Sequence, residues 1–200
     1  MKIKLIILFF LSTLFPETNE ETQLVEKENE KHISLIIHQD LINSFFNNMG
    51  EIKGEGTNPV FDYTWYLLDP RVEIKMGHAS FHAKVRAKTK NFRTTKDVIG
   101  TVKVSYNKDT NLVEVKVDEA DVVLDIDVFG KEIELGRLDI AKYFSKSLKL
   151  KGPQAFDKEV DFTLPNGEKR KIDIDVTSYQ LKLIENAIEL STSLDFKPSE

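Results

Sequence analysis

From Val60 onward the apolar residues recur at every second position, and a chain with that period folds mainly as half-buried β-strand. Phe61, Tyr63 and Trp65 alternate with Asp62 and Thr64, and after Asp69-Pro70 the pattern resumes in Val72, Ile74 and Met76. Phe81, Ala83, Val85 and Ala87 share one side of a strand whose other side carries His82, Lys84, Arg86 and Lys88. One dry and one wet face is the signature of an antiparallel sheet. Val102, Val104 and Tyr106 make the next strand, and a turn over Asn107 to Asn111 leads into Val113, Val115 and Val117. Ala120, Val122, Leu124, Ile126 and Val128 then hold the opposite parity. A bulge near Asp118 and Glu119, in a long bent strand or at a strand switch, is therefore expected. Phe129-Gly130-Lys131 reads as a tight reversal into Ile133 and Leu135. Asn166-Gly167, between Val160, Phe162, Leu164 and Ile172, Ile174, Val176, is the strongest short-range hairpin signal. A turn at Glu185-Asn186 makes one last hairpin.

Two segments break the period. After a short β-like run from Ile33 to His38, the residues Leu41, Ile42, Phe45, Phe46 and Met49 repeat at helical spacing. The spacing predicts a helix over Gln39 to Met49, with Asp40 in its first turn and Gly50 at its end. A second, short helix is expected over Asp139 to Leu148, capped by Asp139 and with Ile140, Ala141, Phe144 and Leu148 on one side. Glu51 to Pro59, with Gly54 and Gly56, reads as a loop. The expected fold class is α+β: a long, curved antiparallel sheet wrapped around or packed on an N-terminal amphipathic helix, with the second short helix added.

Lys2 and Lys4 precede an apolar run from Leu5 to Phe15, interrupted only by Ser12 and Thr13. That is the layout of a secretory signal peptide over residues 1–16. The run is too short to cross about 30 Å of hydrocarbon as an ordinary helix. No small-x-small motif marks a cleavage point, so a retained anchor or a buried first element are the alternatives. The Glu-, Thr- and Asn-rich residues 17–31 read as a flexible tether, and residues 32–197 as a single β-rich domain. Export implies a periplasmic or secreted location.

Composition removes several function classes. The net charge is −5, with lysine and arginine scattered among acids, so no continuous positive field is available for nucleic acid. Without cysteine the chain has no disulfide, thiolate metal site or thiol nucleophile. His78 and His82 share a strand face but lack a third ligand at a supporting spacing. Asp118, Glu119, Asp121, Asp125 and Asp127 alternate with apolar residues and lack a calcium-loop spacing. No metal is expected. P-loop, dinucleotide-binding and nucleophile-elbow motifs are absent, so neither a cofactor nor a catalytic activity is assigned. The 33 acidic residues make chance carboxylate pairs unavoidable, and nothing selects a glycosidase pair among them. The basic stretch Lys84-Val-Arg-Ala-Lys-Thr-Lys90 fits a solvated strand face, or a site that meets an anionic membrane surface.

The succession "HISLIIHQDLINSFFNNM", "LLDPRVEIKMGHASFHAKVRAK" and "IGTVKVSYNKDTNLVEVKVDEADVVL" resembles the tubular lipid-binding superfamily, especially its small bacterial envelope members, over Ile33 to Phe196. The chain departs from the lipoprotein members in having no cysteine after its leader. The resemblance implies a groove between helix and sheet that accepts acyl chains. Leu41, Phe45, Phe46 and Met49 on the helix, with Trp65, Phe81, Val85 and Val104 facing them, are the candidate ligand-binding residues. Three readings stand beside one another. The first is a non-enzymatic carrier or sensor of a lipid or other apolar small molecule. The second is an envelope module with a closed core that meets another protein, and the third a hydrolase or sugar-binding sandwich.

Overall fold

The computed structural model describes residues 31–144, 146–153 and 159–199. The expected leader, and the tether as far as residue 30, lie outside the described residues. The alternating segments form twelve strands: β1 (Ile33–His38), β2 (Ile52–Thr57), β3 (Asp62–Lys75), β4 (His78–Lys88), β5 (Arg93–Asn107), β6 (Leu112–Glu119), β7 (Asp121–Val128), β8 (Lys131–Asp139), β9 (Leu148–Lys151), β10 (Glu159–Thr163), β11 (Lys169–Ile184) and β12 (Ala187–Pro198). A helix, α1 (Gln39–Asn47), follows β1, and a 3-10 turn (Ala141–Phe144) precedes β9. All strand pairs are antiparallel, in sheets ordered β1-β12-β11-β10, β2-β3-β4-β5-β6-β9 and β7-β8.

The large sheet is divided along β5. Its first half, Arg93 to Thr101, pairs with β4, whereas its second half, Thr101 to Asn107, pairs with β6. The register shifts between Thr101 and Val102, opposite the parity break expected near Glu119. There the chain leaves β6 and switches to a new partner, β8. Gly100 makes the switch possible: a Cβ on it would collide with the Glu119 carbonyl oxygen and come within 2.7 Å of the Ala120 methyl. Beyond the switch β7 runs beside the first half of β5, tied by a Lys96–Asp125 ion pair. The return strand β8 reaches β2, where the Asn58 side-chain amide donates to the Glu134 carbonyl at 2.9 Å. This end of the molecule therefore curls nearly into a barrel. Its interior holds Trp65, Val85, Ala87, Val98, Leu124 and Leu135, each no more than 2% exposed.

The segment expected to be a loop, Glu51 to Pro59, is largely strand β2. Its glycines are what admit it to the sheet. Gly54 and Gly56 lie opposite Trp65 and Tyr63, whose rings lie across them, so that a Cβ at Gly54 would sit 2.6 Å from the indole. Such glycine–aromatic cross-strand pairs fill the missing side-chain volume. Asp69-Pro70 likewise does not end its strand. The pair forms a bulge inside β3, with Asp69 at φ 52°, and the register shift carries Val72 and Ile74 onto the same inner face as Trp65 and Leu67.

The α+β expectation is corrected by this architecture: among the described residues the fold is mostly β, 70% strand against 8% helical, and no sheet wraps an N-terminal helix. The reason lies in the side chains of α1. At 3.6 residues per turn its surface divides into three adjoining stripes. Gln39 and Asn43 form the first, the buried Ile42 and Phe46 the second, and the exposed Leu41 and Phe45 the third, which Met49 continues just past the helix end. The amide stripe docks on the free edge of β3. Asn43 donates to the Val72 carbonyl at 3.0 Å and accepts from the Val72 N–H at 2.7 Å, and the Gln39 side-chain oxygen accepts from the Ile74 N–H at 2.6 Å. The Asn186 N–H donates to the Ile74 carbonyl at 2.9 Å, completing that stretch of edge. The helix thus serves as a lateral partner of β3, with only two of its four apolar residues in the core. The second helix is corrected as well. Asp139 ends β8, the helical segment is only the 3-10 turn, and Leu148 opens β9 opposite Val115.

Lys31, at the start of the described chain, donates to the Glu189 carboxylate of β12 at 2.8 Å and 2.9 Å. That hydrogen bond, partly opposed by burial, holds the Glu189 carboxyl below its ordinary value. A carboxyl lowered on folding stabilises the native state above its unfolded pKa of about 4.3 and loses that contribution as pH falls through the lowered value. Urea midpoints of the native chain should exceed those of Lys31→Ala at about pH 7 and converge with them near about pH 3. A constant difference across that range would remove the ion pair as its cause. At the strand switch, Gly100→Ala should cost about 3 kcal/mol in the same assay, because backbone must move to admit the methyl group. A loss within about 0.5 kcal/mol would show that the 119–120 corner gives freely.

Candidate functional site

The third stripe of α1 faces an open groove. Phe45, Phe46 and Met49 form one wall, Val115, Val117 and Leu148 the other, Tyr143 and Phe144 the end, and Lys146 stands at the rim, around a volume of about 340 Å³. A cluster of rings supports it from below. Phe46 lies 5.4 Å from Phe144 and 6.0 Å from Phe81, and Phe81 lies 5.1 Å from Phe144, all at steep interplanar angles. The edge-to-face contact of Phe46 with Phe144 and the tilted contacts of both with Phe81 fix ring positions as well as burying area. Phe45 packs edge-on against Phe46 at 5.7 Å while remaining 41% exposed. At the end wall Tyr143 leans on Trp65 at 5.1 Å, with the Lys142 ammonium 5.0 Å from its ring centre. Among the described residues that line the groove the walls are apolar and the one charge, Lys146, is at the mouth.

The eight candidate residues divide between groove and core. Phe45, Phe46 and Met49 line the groove, whereas Leu41, on the outer side of the same stripe, points to solvent at 54% exposure. Trp65, Phe81 and Val85 are closed inside the core at 1%, 0% and 0% exposure. Val104 is half-buried on β5, directly opposite Val115, one strand away from the groove wall. The opposing wall is instead built by β6 and β9. Val115, Val117, Phe144 and Leu148 are legible as apolar positions, but only the pairing of Val115 with Leu148 brings them together. No local pattern carries that pairing.

The other candidates for chemistry are weaker. His82 Nε2 lies 3.0 Å from Ser80 Oγ and 3.2 Å from a Glu73 carboxylate oxygen, which puts serine, histidine and acid within reach of one another on the outer face of β3 and β4. A catalytic triad needs the acid on the opposite ring nitrogen, so that the nitrogen facing serine is free to take its proton. Here both partners share one nitrogen, and Glu73 also pairs with Lys75 at 3.1 Å. The Lys75 ammonium, by hydrogen bond and charge, holds the Glu73 carboxyl below its ordinary value, which is the condition of a surface ion pair. His78 is exposed on the same face, and among the described residues no group of three or more His, Cys, Asp or Glu side chains is placed to hold a metal.

Lys88 and Lys90 border a larger depression of about 770 Å³, shared with Glu55, Asp62, Thr64 and Tyr66. Its charges are mixed and it is open to solvent, so its size does not make it a better site than the smaller, drier groove. No helix among the described residues is long and apolar enough to cross a membrane. No protein-family model matches the chain, and neither a curated protein nor a solved structure is significantly similar to it.

Proposed function

We propose that this protein binds the apolar tail of a lipid or similar long molecule in the groove between α1 and the β6–β9 edge, by burial and without covalent chemistry. The observation that carries the reading is the exposed Phe45–Met49 stripe facing Val115, Val117 and Leu148 across an apolar space. At about 340 Å³ the groove is at the small end of ligand pockets. It suits one acyl chain or one aryl-bearing tail, not a two-tailed phospholipid taken whole. Each buried methylene contributes about 0.8 kcal/mol, so several carbons give useful affinity without specific polar contacts. Lys146 at the rim favours an anionic head such as a carboxylate.

The resemblance to tubular lipid-binding proteins points to the same ligand class. Because α1 lies on a sheet edge, outside any wrapping sheet, the proposal rests on the groove itself. The leader-like residues 1–16 support an exported, envelope location for the carrier. A second reading, an envelope interaction module, is favoured by a separate apolar surface on β10 to β12.

Binding of cis-parinaric acid, followed by its fluorescence, tests the groove. Phe45→Asp places a charge on an already exposed wall position and should weaken uptake at least about tenfold, since a desolvated carboxylate opposes the tail. Lys103→Gln, on the outer face of β5, should leave uptake unchanged. Equal uptake by both variants would move the ligand away from α1.

A further inference from the structure

The strands β10, β11 and β12 carry apolar side chains on one face well past the point where the body ends. Val160 pairs with Ile172, Ile172 with Pro198, Ile174 with Phe196 and Val176 with Leu194, so these residues stand together on one side. At the base of the same face Leu181 and Leu183 pack on the core, and Tyr179 meets Tyr106 with ring centres 5.2 Å apart. Beyond Tyr179 no described residue covers it. Phe196 is 58% exposed, Val160 46%, Val176 43% and Phe162 40%. The reverse face is charged and largely self-paired: Lys171 bonds Glu159, Lys197 bonds Asp175 and Asp195, and the Ser199 hydroxyl donates to Asp173. Arg170, the one cation on the apolar side among the described residues, is paired to Glu168 at 2.7 Å.

A sheet with one dry face needs a second layer. We infer that the second layer is the same face of another copy of this chain, the two three-stranded tabs packing face to face about a two-fold axis. Three observations select that occupant. Among the described residues the face carries no charge beyond the mutually neutralising Arg170–Glu168 pair, which matches it to an identical face and gives an anionic membrane nothing to hold. With the 41% exposed Tyr179 and the exposed Pro198 added to the four above, the aromatic and aliphatic side chains present roughly 500 Å² per copy, so a pair that covers them fully buries about 1,000 Å², the lower limit of a specific interface. Edge-to-edge association is disfavoured, because a two-fold pairing of β10 centred on Asp161 would set that carboxylate directly against its own copy. Face-to-face packing needs no such contact and leaves the groove at α1 untouched.

The expected dimer is weak and concentration-dependent. Sedimentation of the full chain should show mass rising from one to two chains with concentration, and Phe162→Ser with Phe196→Ser should raise the dissociation constant at least about tenfold. Because that pair of substitutions could perturb the tab, cross-linking provides an independent reading. The chain contains no cysteine, so Phe196→Cys introduces a single thiol on the apolar face and Lys197→Cys one on the reverse face. A bismaleimide spanning about 10 Å, the separation of stacked sheets, should link copies through the first at least about tenfold faster than through the second. Equal linking rates overturn the proposal. So does a native chain that stays monomeric up to about 1 mM, and so does a monomer that floats with phosphatidylcholine vesicles in a Phe196-dependent way, which would assign the face to lipid.

Discussion

The close approach of two backbones at Gly100 governs how this chain is laid out. A continuous sheet of strands as long as β3 and β5 would twist out of shape before it enclosed anything. By letting the Glu119–Ala120 corner sit against β5, the glycine ends one ladder and frees the next strand to take another partner. One half of β5 then contributes to the curled barrel end, and the other half to the open sheet that carries β6 and β9. The apolar parity of the sequence reverses at the same place, so side chains on both halves still point inward. Covalent order and hydrophobic pattern agree because the bulge supplies the one-residue offset between them.

The second constraint is the obligation to satisfy exposed strand edges. β2 covers only the first part of β3, leaving Val72 and Ile74 with outward backbone groups. Two amide side chains one helical turn apart supply the missing partners, which pins α1 along the edge. Once the helix is held by Gln39 and Asn43, its rotation is fixed. Ile42 and Phe46 turn inward, and the adjoining Phe45–Met49 stripe is left facing β6 across a gap. The groove is thus a consequence of how the edge is closed.

Much of the strand layout was legible because it is local. Alternation located β3, β4, β6, β7 and β11, the reversal at Phe129-Gly130 and the Asn-Gly hairpin fell where expected, and the parity break at Glu119 marked the switch. What failed depended on partners distant in sequence. Gly54 and Gly56 look like loop residues until Tyr63 and Trp65 lie over them. Ile140 to Leu148 fit a helix by spacing, but Leu148 is recruited to extend the sheet beside Val115. The helix starts at Gln39 as its spacing predicts and ends at Asn47, two residues short of Met49, but its role is not legible, because an apolar stripe attracts attention while the amides that fix the helix look like ordinary polar surface. The same blindness applies to the site. Phe45, Phe46 and Met49 are legible from the helical spacing, but which strands oppose them is a property of topology, and Trp65, Phe81 and Val85 are closed inside the core, Phe81 among the rings beneath the groove.

That filling bears on function. A core in which the large side chains are fully enclosed has no room for a ligand to enter between its layers, since native packing leaves few voids of useful size. An apolar ligand must then use a place where the layers fail to meet. The groove beside α1 is such a place, because the helix is anchored laterally and its third stripe exceeds what the core can absorb. The outer part of β11 is another: at 16 residues the strand spans about 53 Å, and its apolar face continues past Tyr179, beyond the side chains that pack on the core. Both surfaces arise from elements whose hydrophobic pattern outlasts their intramolecular partners. They differ in shape, and shape separates the occupants proposed for them. A concave slot a few side chains wide encloses a flexible tail, whereas a flat three-stranded face is best matched by another flat sheet.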